Sequence, residues 1–325
     1  MVSKSFRLST TNESQKPTVR LIANAKLNLG LRVLSKRPDG FHELRTLFQT
    51  ISLADWIDLS YRPSRVREVT LEANLDIPHN LIVRAANAFL DEVGGGGRIH
   101  AKLTKRIPMG GGLGGGSANA AAMLLGLPAL MKRRIPLTVL SRIGAALGSD
   151  VPFFLHGGRA IGLGRGTELY PLPDGPSEAV LLVTPGFPIA TPEAYRKISA
   201  NLGAESASTA AFEAQVWQGE GRVFYGDKRG SLVNDFEPSA FEQFPQLATI
   251  QKRLWATGAS PAGMTGSGST MYGIYGSKQD AESAAAKLQP WKTVVVHTIM
   301  RRRFRAMWFK QLGKFSDGVS WPPPV

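Results

Sequence analysis

Short runs of apolar residues, each ended by glycine or proline, give this chain its rhythm. Residues 18–24 (TVRLIAN) predict a strand, residues 46–59 a strand pair and residues 66–73 a further strand. The segment RIHAKLTKRI (98–107) alternates apolar and charged side chains, as a half-buried strand does. Helical spacing opens near Asn80 and closes at Gly94. A compact, alanine-rich helix runs from about Ser117 to Leu127, stopped by Pro128. Another spans 137–147 with Gly148 as its cap, and 158–164 reads as a strand.

The pattern pauses at YPLPDGPSE (170–178), which marks a domain boundary. Beyond it come a strand at 179–186, a helix at 192–202 and a weakly patterned stretch at 203–235. A helix near 239–256, a glycine-rich turn at 263–276, a helix at 277–288 and a strand at 293–299 follow. Strands mixed with helices over compact sheets predict an α+β protein of two domains. The expected units are a lead-in (1–17), an N-terminal domain (18–172), a C-terminal domain (178–299) and a basic, aromatic tail (300–325).

Composition narrows the function classes. The 325 residues suffice for two cores, and 43% hydrophobic with 20% charged residues is ordinary for a globular protein. There is no cysteine, which excludes disulfides and thiolate metal sites. The five histidines show no zinc-ligand spacing. No apolar run reaches the 18 or so residues of a membrane span. The Ser/Thr-rich start lacks a secretory core and reads as a polar lead-in, with an organellar targeting segment as the alternative. A cytoplasmic location is expected.

The net charge of +14 points to an anionic partner. No acid occurs between Glu92 and Asp150, a stretch holding Arg98, Lys102, Lys105, Arg106, Lys132, Arg133, Arg134 and Arg142. In its middle lies PMGGGLGGGSANAAAM (108–123), with six glycines in seven positions. Such a run lets successive N–H groups turn around an anion, and the helix behind it adds its free first-turn donors. The site is not a P-loop, because Ser117, Ala118 and Asn119 stand where Lys-Ser/Thr is required. A dinucleotide fold would want an acid about 20 residues further on, where this chain has Lys132, Arg133 and Arg134. The protein-kinase motifs are absent.

Three smaller signals accompany the loop. Asp150, in GSDVPFF, sits where it can cap a helix, which leaves a chemical use open. Lys26, in NAKLNLGLRV, follows the first strand; such a lysine snorkels to solvent unless an acid and a phosphate claim it. Asp39, Gly40, Phe41 and His42 form a turn with an aromatic pair, fit either for plain chain reversal or for holding a base.

Lys26, the DGFH turn, Asn80 in NLIVRAA, the glycine loop, Asp150 and TGSGS (265–269) occur in one order from about residue 20 to about 300. This set resembles the GHMP small-molecule kinases. The triple-glycine, leucine, triple-glycine loop and the DGFH turn are most similar to those members whose acceptor is a cytidyl-diphosphate sugar alcohol of the non-mevalonate isoprenoid pathway. They separate the chain from mevalonate and homoserine kinases.

The resemblance implies an ATP-dependent phosphorylation of the 2-hydroxyl of a methylerythritol moiety, with Mg2+ accompanying ATP. It implies an N-terminal GHMP domain with a left-handed βαβ unit and a ferredoxin-like C-terminal domain, in a monomer or homodimer. Lys26 and Asp150 would be the catalytic pair: Asp150 would accept or orient the hydroxyl proton and Lys26 would keep it ionised. Pro108, Met109, Gly110, Gly111, Gly112, Leu113, Gly114, Gly115, Gly116, Ser117 and Ala118 would wrap the ATP phosphates. Asn80, Ile82 and Lys105 would line the adenine pocket. Asn28, Phe41, His42, Phe48 and Tyr195 would hold the cytidine diphosphate end. Thr265, Gly266, Ser267 and Gly268 would close over phosphates and substrate. Ser117 and Asp150 are the nearest candidates for magnesium.

Three departures stand out. Phe41 replaces a common tyrosine, keeping the ring and losing a phenolic hydrogen bond. Ala118 replaces the second of two serines, losing a hydroxyl and keeping its backbone N–H. Residues 300–325 extend past the usual end with six Lys/Arg, one acid and five aromatics, read as a disordered tail or an anion-contacting segment. The rival class, a nucleic-acid-binding protein, accounts for the charge but not for the glycine cradle or Asp150. No nucleic-acid partner is therefore expected.

Overall fold

Residues 19–201 and 233–315 are described in the computed structural model. The expectations for 1–17, for 316–325 and for most of 203–235 lie outside them. β1 (Val19–Lys36) and β2 (His42–Arg62) form one long antiparallel hairpin. β1 runs past its expected end, so Lys26 lies within it rather than after it, and the strand pair expected at 46–59 is one continuous strand, β2. The reason is burial: residues 23–31 of β1 are all buried, so the alternation that marks a strand disappears. Register irregularities fall at Asn24/Lys26 and Asn28/Gly30, on either side of Lys26, Leu27 and Asn28.

β2 is the spine of the first sheet. One edge carries β1; the other takes β4 (Gly97–Thr104) along residues 56–62 and β5 (Arg159–Leu163) along 46–49. β3 (Arg67–Ala73) pairs parallel with β4, and β6 (Glu168–Pro171) pairs with β5. Helix α1 (Leu81–Val93) links β3 to β4; Asn80 caps its start and Gly94, at φ 61°, its end. α2 (Gly115–Leu130) is buried almost throughout and passes through Pro128, which was expected to stop it. A proline's φ is helical, and one missing bond near the end of a fully packed helix is tolerated. α3 (Leu137–Leu147) and the short α4 (Val151–His156) complete this layer.

The second sheet has the order β10–β7–β9–β8, all antiparallel: β7 (Ala179–Thr184), β8 (Ala262–Met264), β9 (Met271–Tyr275) and β10 (Lys292–His297). α5 (Thr191–Asn201), α6 (Glu237–Gln243), α7 (Pro245–Ala256) and α8 (Lys278–Lys287) supply the crossovers of a βαββαβ, ferredoxin-like unit. The single helix expected at 239–256 is two, because Pro245 has no N–H to continue α6.

Along β7, Val180 and Leu182 face one core while Leu181 and Val183 face another. The first of these cores lies between the two sheets, shared with Ala25, Leu27 and Leu29 of β1. The architecture is therefore four layers, helix–sheet–sheet–helix, with β1 in the middle.

The segment 301–315 is not a disordered tail. α9 (Arg301–Leu312) buries Phe304, Trp308 and Leu312 in the first core. Its opening N–H groups, on Arg301 and Arg302, are capped by Asp174 at 2.7 and 3.1 Å. Phe304 lies against Gly157 at the end of α4, where any Cβ would overlap its ring. Among the described residues no helix is long and apolar enough to cross a membrane.

A seam of polar residues joins the halves. Leu31 exchanges backbone bonds with Val233 and Asp235, and Asp235 accepts from Val33 N at 2.7 Å. Asn234 donates to the carbonyls of Met264 (2.7 Å) and Gly266 (2.9 Å), and Glu237 accepts from Met264 N at 2.7 Å. The 265–269 turn is thus held from below.

Two outcomes follow. Phe304→Ala should cost about 3–5 kcal/mol in chemical denaturation, the range for deleting a buried phenylalanine. Burial pushes the Glu237 carboxyl up to about 7. Folding then favours its protonated form, a contribution complete below about pH 4.5 and lost as pH rises through about 7. Glu237→Gln cannot ionise, so its denaturation midpoint should gain on wild type between about pH 5 and about pH 8.

Candidate active site

The loop after β4 turns on glycines in the left-handed region: Gly110, Gly112 and Gly114 have φ of 67°, 74° and 69°. Leu113, the one side chain in the run, is buried in the core between the sheets. Its carbonyl accepts from Lys26 N at 3.1 Å. A Cβ at Gly112 would collide with the Thr265 carbonyl. Gly114 occupies the N-cap of α2 with no side-chain cap, so first-turn N–H groups are left for a ligand.

Lys26 is held between these parts. Its side chain is 4% exposed, with the ammonium 3.4 Å from Asp150 Oδ2, bonded to Asn28 Oδ1 and 5.7 Å from the Phe48 ring centre. Asp150 occupies the N-cap position of α4, yet its side chain caps nothing and turns to Lys26 instead. Asn28 is fixed by Thr46 Oγ1 (2.7 Å) and Thr265 Oγ1 (2.9 Å).

All of this opens into one cleft of about 990 Å³. Lys26, Asn28, Phe41, His42, Phe48, Asn80, Lys105, Asp150, Tyr195, Gly266, Ser267 and every residue from Pro108 to Ser117 reach its wall. Ile82, Ala118, Thr265 and Gly268 do not. Ile82 is fully buried in the first core and gives its N–H to Asn80 Oδ1. Ala118 is buried too, and the N–H expected to remain for phosphate is bonded to Gly114 O at 2.9 Å. Thr265 is a link, accepting from Asn28 N and donating to Gly112 O at 3.2 Å.

At the other end of the cleft, His42 stacks on Tyr195 at 4.7 Å and meets Ser199 Oγ at 2.6 Å. Burial, then Lys36, hold the His42 imidazole below its ordinary range, so the ring is neutral near pH 7. Burial, then Asp150, raise the Tyr195 phenol, which stays protonated. Phe41 is exposed, with the Arg165 guanidinium 4.1 Å above its ring.

The cations of the cleft are not those the acid-free stretch suggested. Arg98 and Lys102 alternate outward on β4 and pair with Glu68 and Glu72 of β3; Arg142 pairs with Glu92. Of that stretch only Lys105 reaches the wall, joined there, among the described residues, by Lys26, Lys36, Arg165 and Arg196 against a single carboxylate, Asp150. Sequence reasoning missed Arg165, Ser199, Asn234, Glu237 and Asp55. None of them carried a local signal; Asp55 shares its strand with a second acid, Asp58, three positions on.

Comparison with known proteins agrees with this geometry. Residues 80–158 match the GHMP kinases N terminal domain and residues 227–291 match GHMP kinases C terminal. A "4-diphosphocytidyl-2-C-methyl-D-erythritol kinase" of Solibacter usitatus is 46% identical over 97% of this chain and 98% of its own. One of Moorella thermoacetica is 40% identical over 86% of this chain and 98% of its own. A crystal structure of 4-(cytidine 5'-diphospho)-2C-methyl-D-erythritol kinase superposes with a TM-score of 0.67 at 36% identity, covering 86% of this chain and 98% of that one. With a glycine cradle, a buried Lys–Asp pair and an aromatic-lined far end in one cleft, the chain belongs to the 4-diphosphocytidyl-2-C-methyl-D-erythritol kinases of the GHMP kinase family.

Proposed function

We propose that the protein transfers the γ-phosphoryl group of ATP to the 2-hydroxyl of 4-diphosphocytidyl-2-C-methyl-D-erythritol, in the cytoplasm, on the route to isoprenoid precursors. One observation carries this reading: the Lys26–Asp150 pair lies where the glycine cradle meets the aromatic end of the same cleft. The cradle holds the triphosphate through backbone N–H groups and the start of α2. The acceptor's cytidyl end lies toward Phe41, His42 and Tyr195, which brings its hydroxyl to Asp150.

The Asp150 carboxylate takes the hydroxyl proton as the acceptor oxygen bonds to the γ-phosphorus. The bond from that phosphorus to the β–γ bridging oxygen breaks, and ADP leaves. The Lys26 ammonium beside Asp150 offsets the charge that moves onto the transferring group. Among the described residues no three acidic or histidine side chains cluster as a metal cage. Ser117 and Asp150, both on the cleft wall, would hold Mg2+ beside phosphate oxygens and water. When bound, the ion neutralises phosphate charge.

A coupled ADP-release assay tests the reading. Asp150→Asn should lower kcat by about 10²–10⁴-fold, and Lys26→Met by at least about 10²-fold. Equal turnover by wild type and Asp150→Asn overturns the mechanism. ADP release with another alcohol but not with the cytidyl substrate moves the acceptor. His42→Ala should raise the acceptor KM by about 5–100-fold, the cost of an unpaired buried partner, and leave the ATP KM unchanged.

A further inference from the structure

Asp55 of β2 is fully buried, and every bond it accepts comes from a group flanking the glycine loop. Oδ1 accepts from Arg106 N at 2.7 Å and Ile107 N at 2.8 Å, the last residues before the loop. Oδ2 accepts from Lys105 Nζ at 2.5 Å and from Asn119 Nδ2 at 2.9 Å, the latter in the second turn of the helix that leaves the loop. Four donors match the four lone-pair sites of a carboxylate. One carboxylate in a central strand therefore pins both ends of residues 108–114.

A glycine-rich loop needs such a pin. Glycine loses more backbone freedom on ordering than any other residue, and a run of them has no side chains to repay that loss. Leu113 and Thr265 anchor the middle of the cradle, and its two ends are fixed by Asp55. Asp55 also sets a charge. The Lys105 side chain is 5% exposed, and its ammonium lies 2.6 Å from where a Cβ on Gly115 would sit. It is thus held at the start of α2, on the cleft wall, and an ammonium buried there without a partner would be costly.

We propose that Asp55 is the positioning residue of the nucleotide half of the site: it preorganises the glycine loop and holds Lys105 at the start of α2, without touching either substrate. This rests on the cleft's cradle being the nucleotide site, as the kinase reading has it. A purely structural acid predicts lost stability with both substrates affected alike. A positioning role predicts a selective effect on nucleotide.

The test compares wild type with Asp55→Asn and Asn119→Ala, reading ATP affinity by direct titration without acceptor, then the two KM values. Asp55→Asn should weaken ATP binding by about 10–100-fold and change the acceptor KM by less than about 3-fold. Asn119→Ala removes one of the four bonds, leaves the carboxylate paired and should weaken ATP binding by about 3–10-fold. Should Asp55→Asn fail to fold, Asn119→Ala decides. Wild-type ATP affinity in Asn119→Ala, or an equal rise in both KM values, overturns the proposal. Wild type that binds ATP but does not phosphorylate the cytidyl substrate leaves the Asp55 test intact and sinks the acceptor assignment instead. Wild type that binds no ATP sinks both.

Discussion

A buried ammonium cannot be left without company, and Lys26 is the buried ammonium around which this structure is arranged. Placing an unpaired charge there would cost several kcal/mol. Its partners come from four parts of the chain: Asn28 of the same strand, Asp150 at the head of α4, the face of Phe48 on β2, and the bend at Gly114. Gly114 is close because it has to be; a Cβ there would sit 3.1 Å from Lys26 Cε and 2.7 Å from the Phe154 ring. The hairpin must deliver the lysine to that point, α4 must aim its first residue at it, and α2 must begin beside it. Assembling the core and assembling the site are one event.

The two ends of the cleft are built by different means. The cradle end is backbone, held by an apolar anchor at Leu113, by Thr265 against Gly112, and by polar bonds at its ends. The far end is side chains on a hairpin tip and on α5, with His42, Tyr195 and Phe41 as its flat surfaces. Backbone recognition suits a phosphate chain common to many nucleotides, whereas side chains can change without disturbing the fold.

What the sequence made legible divides along the same physical lines. Local signals were readable: the Asn80 cap and Gly94 stop of α1, the alternation of β4, and the glycine loop itself. Signals that depend on distant partners were not. The middle of β1 lost its alternation because a second sheet covers its other face. α9 carries no capping residue of its own, since Asp174 reaches its N-terminus from 127 positions away. The charge around the loop misled for the same reason, as Arg98, Lys102 and Arg142 are answered by Glu68, Glu72 and Glu92 across neighbouring elements. Asp55 gave no local sign, because its four donors come from 50 to 64 residues downstream.

Phe41 shows how a lost hydrogen bond can be offset by placement. The tip of the hairpin is tied back on itself: Phe41 N donates to Asp39 Oδ1 at 3.1 Å, Arg37 N donates to Phe41 O at 2.8 Å, and Arg37 pairs with Glu43 at 2.6 Å. Above the ring, Arg165 adds a cation–π contact worth about 0.5–1 kcal/mol at an exposed site. A phenol would anchor the ring through its edge, whereas here the backbone and the guanidinium fix the ring by its root and its face. Under the proposed function, a ring held in advance would lose little freedom on stacking with a base, and preorganisation would partly recover the affinity a hydroxyl contributes by bonding. The same guanidinium donates to the Ala145 carbonyl of α3 at 3.1 Å. The tip of the hairpin is thereby coupled to the layer that carries Asp150, so Phe41 and Asp150 share one frame.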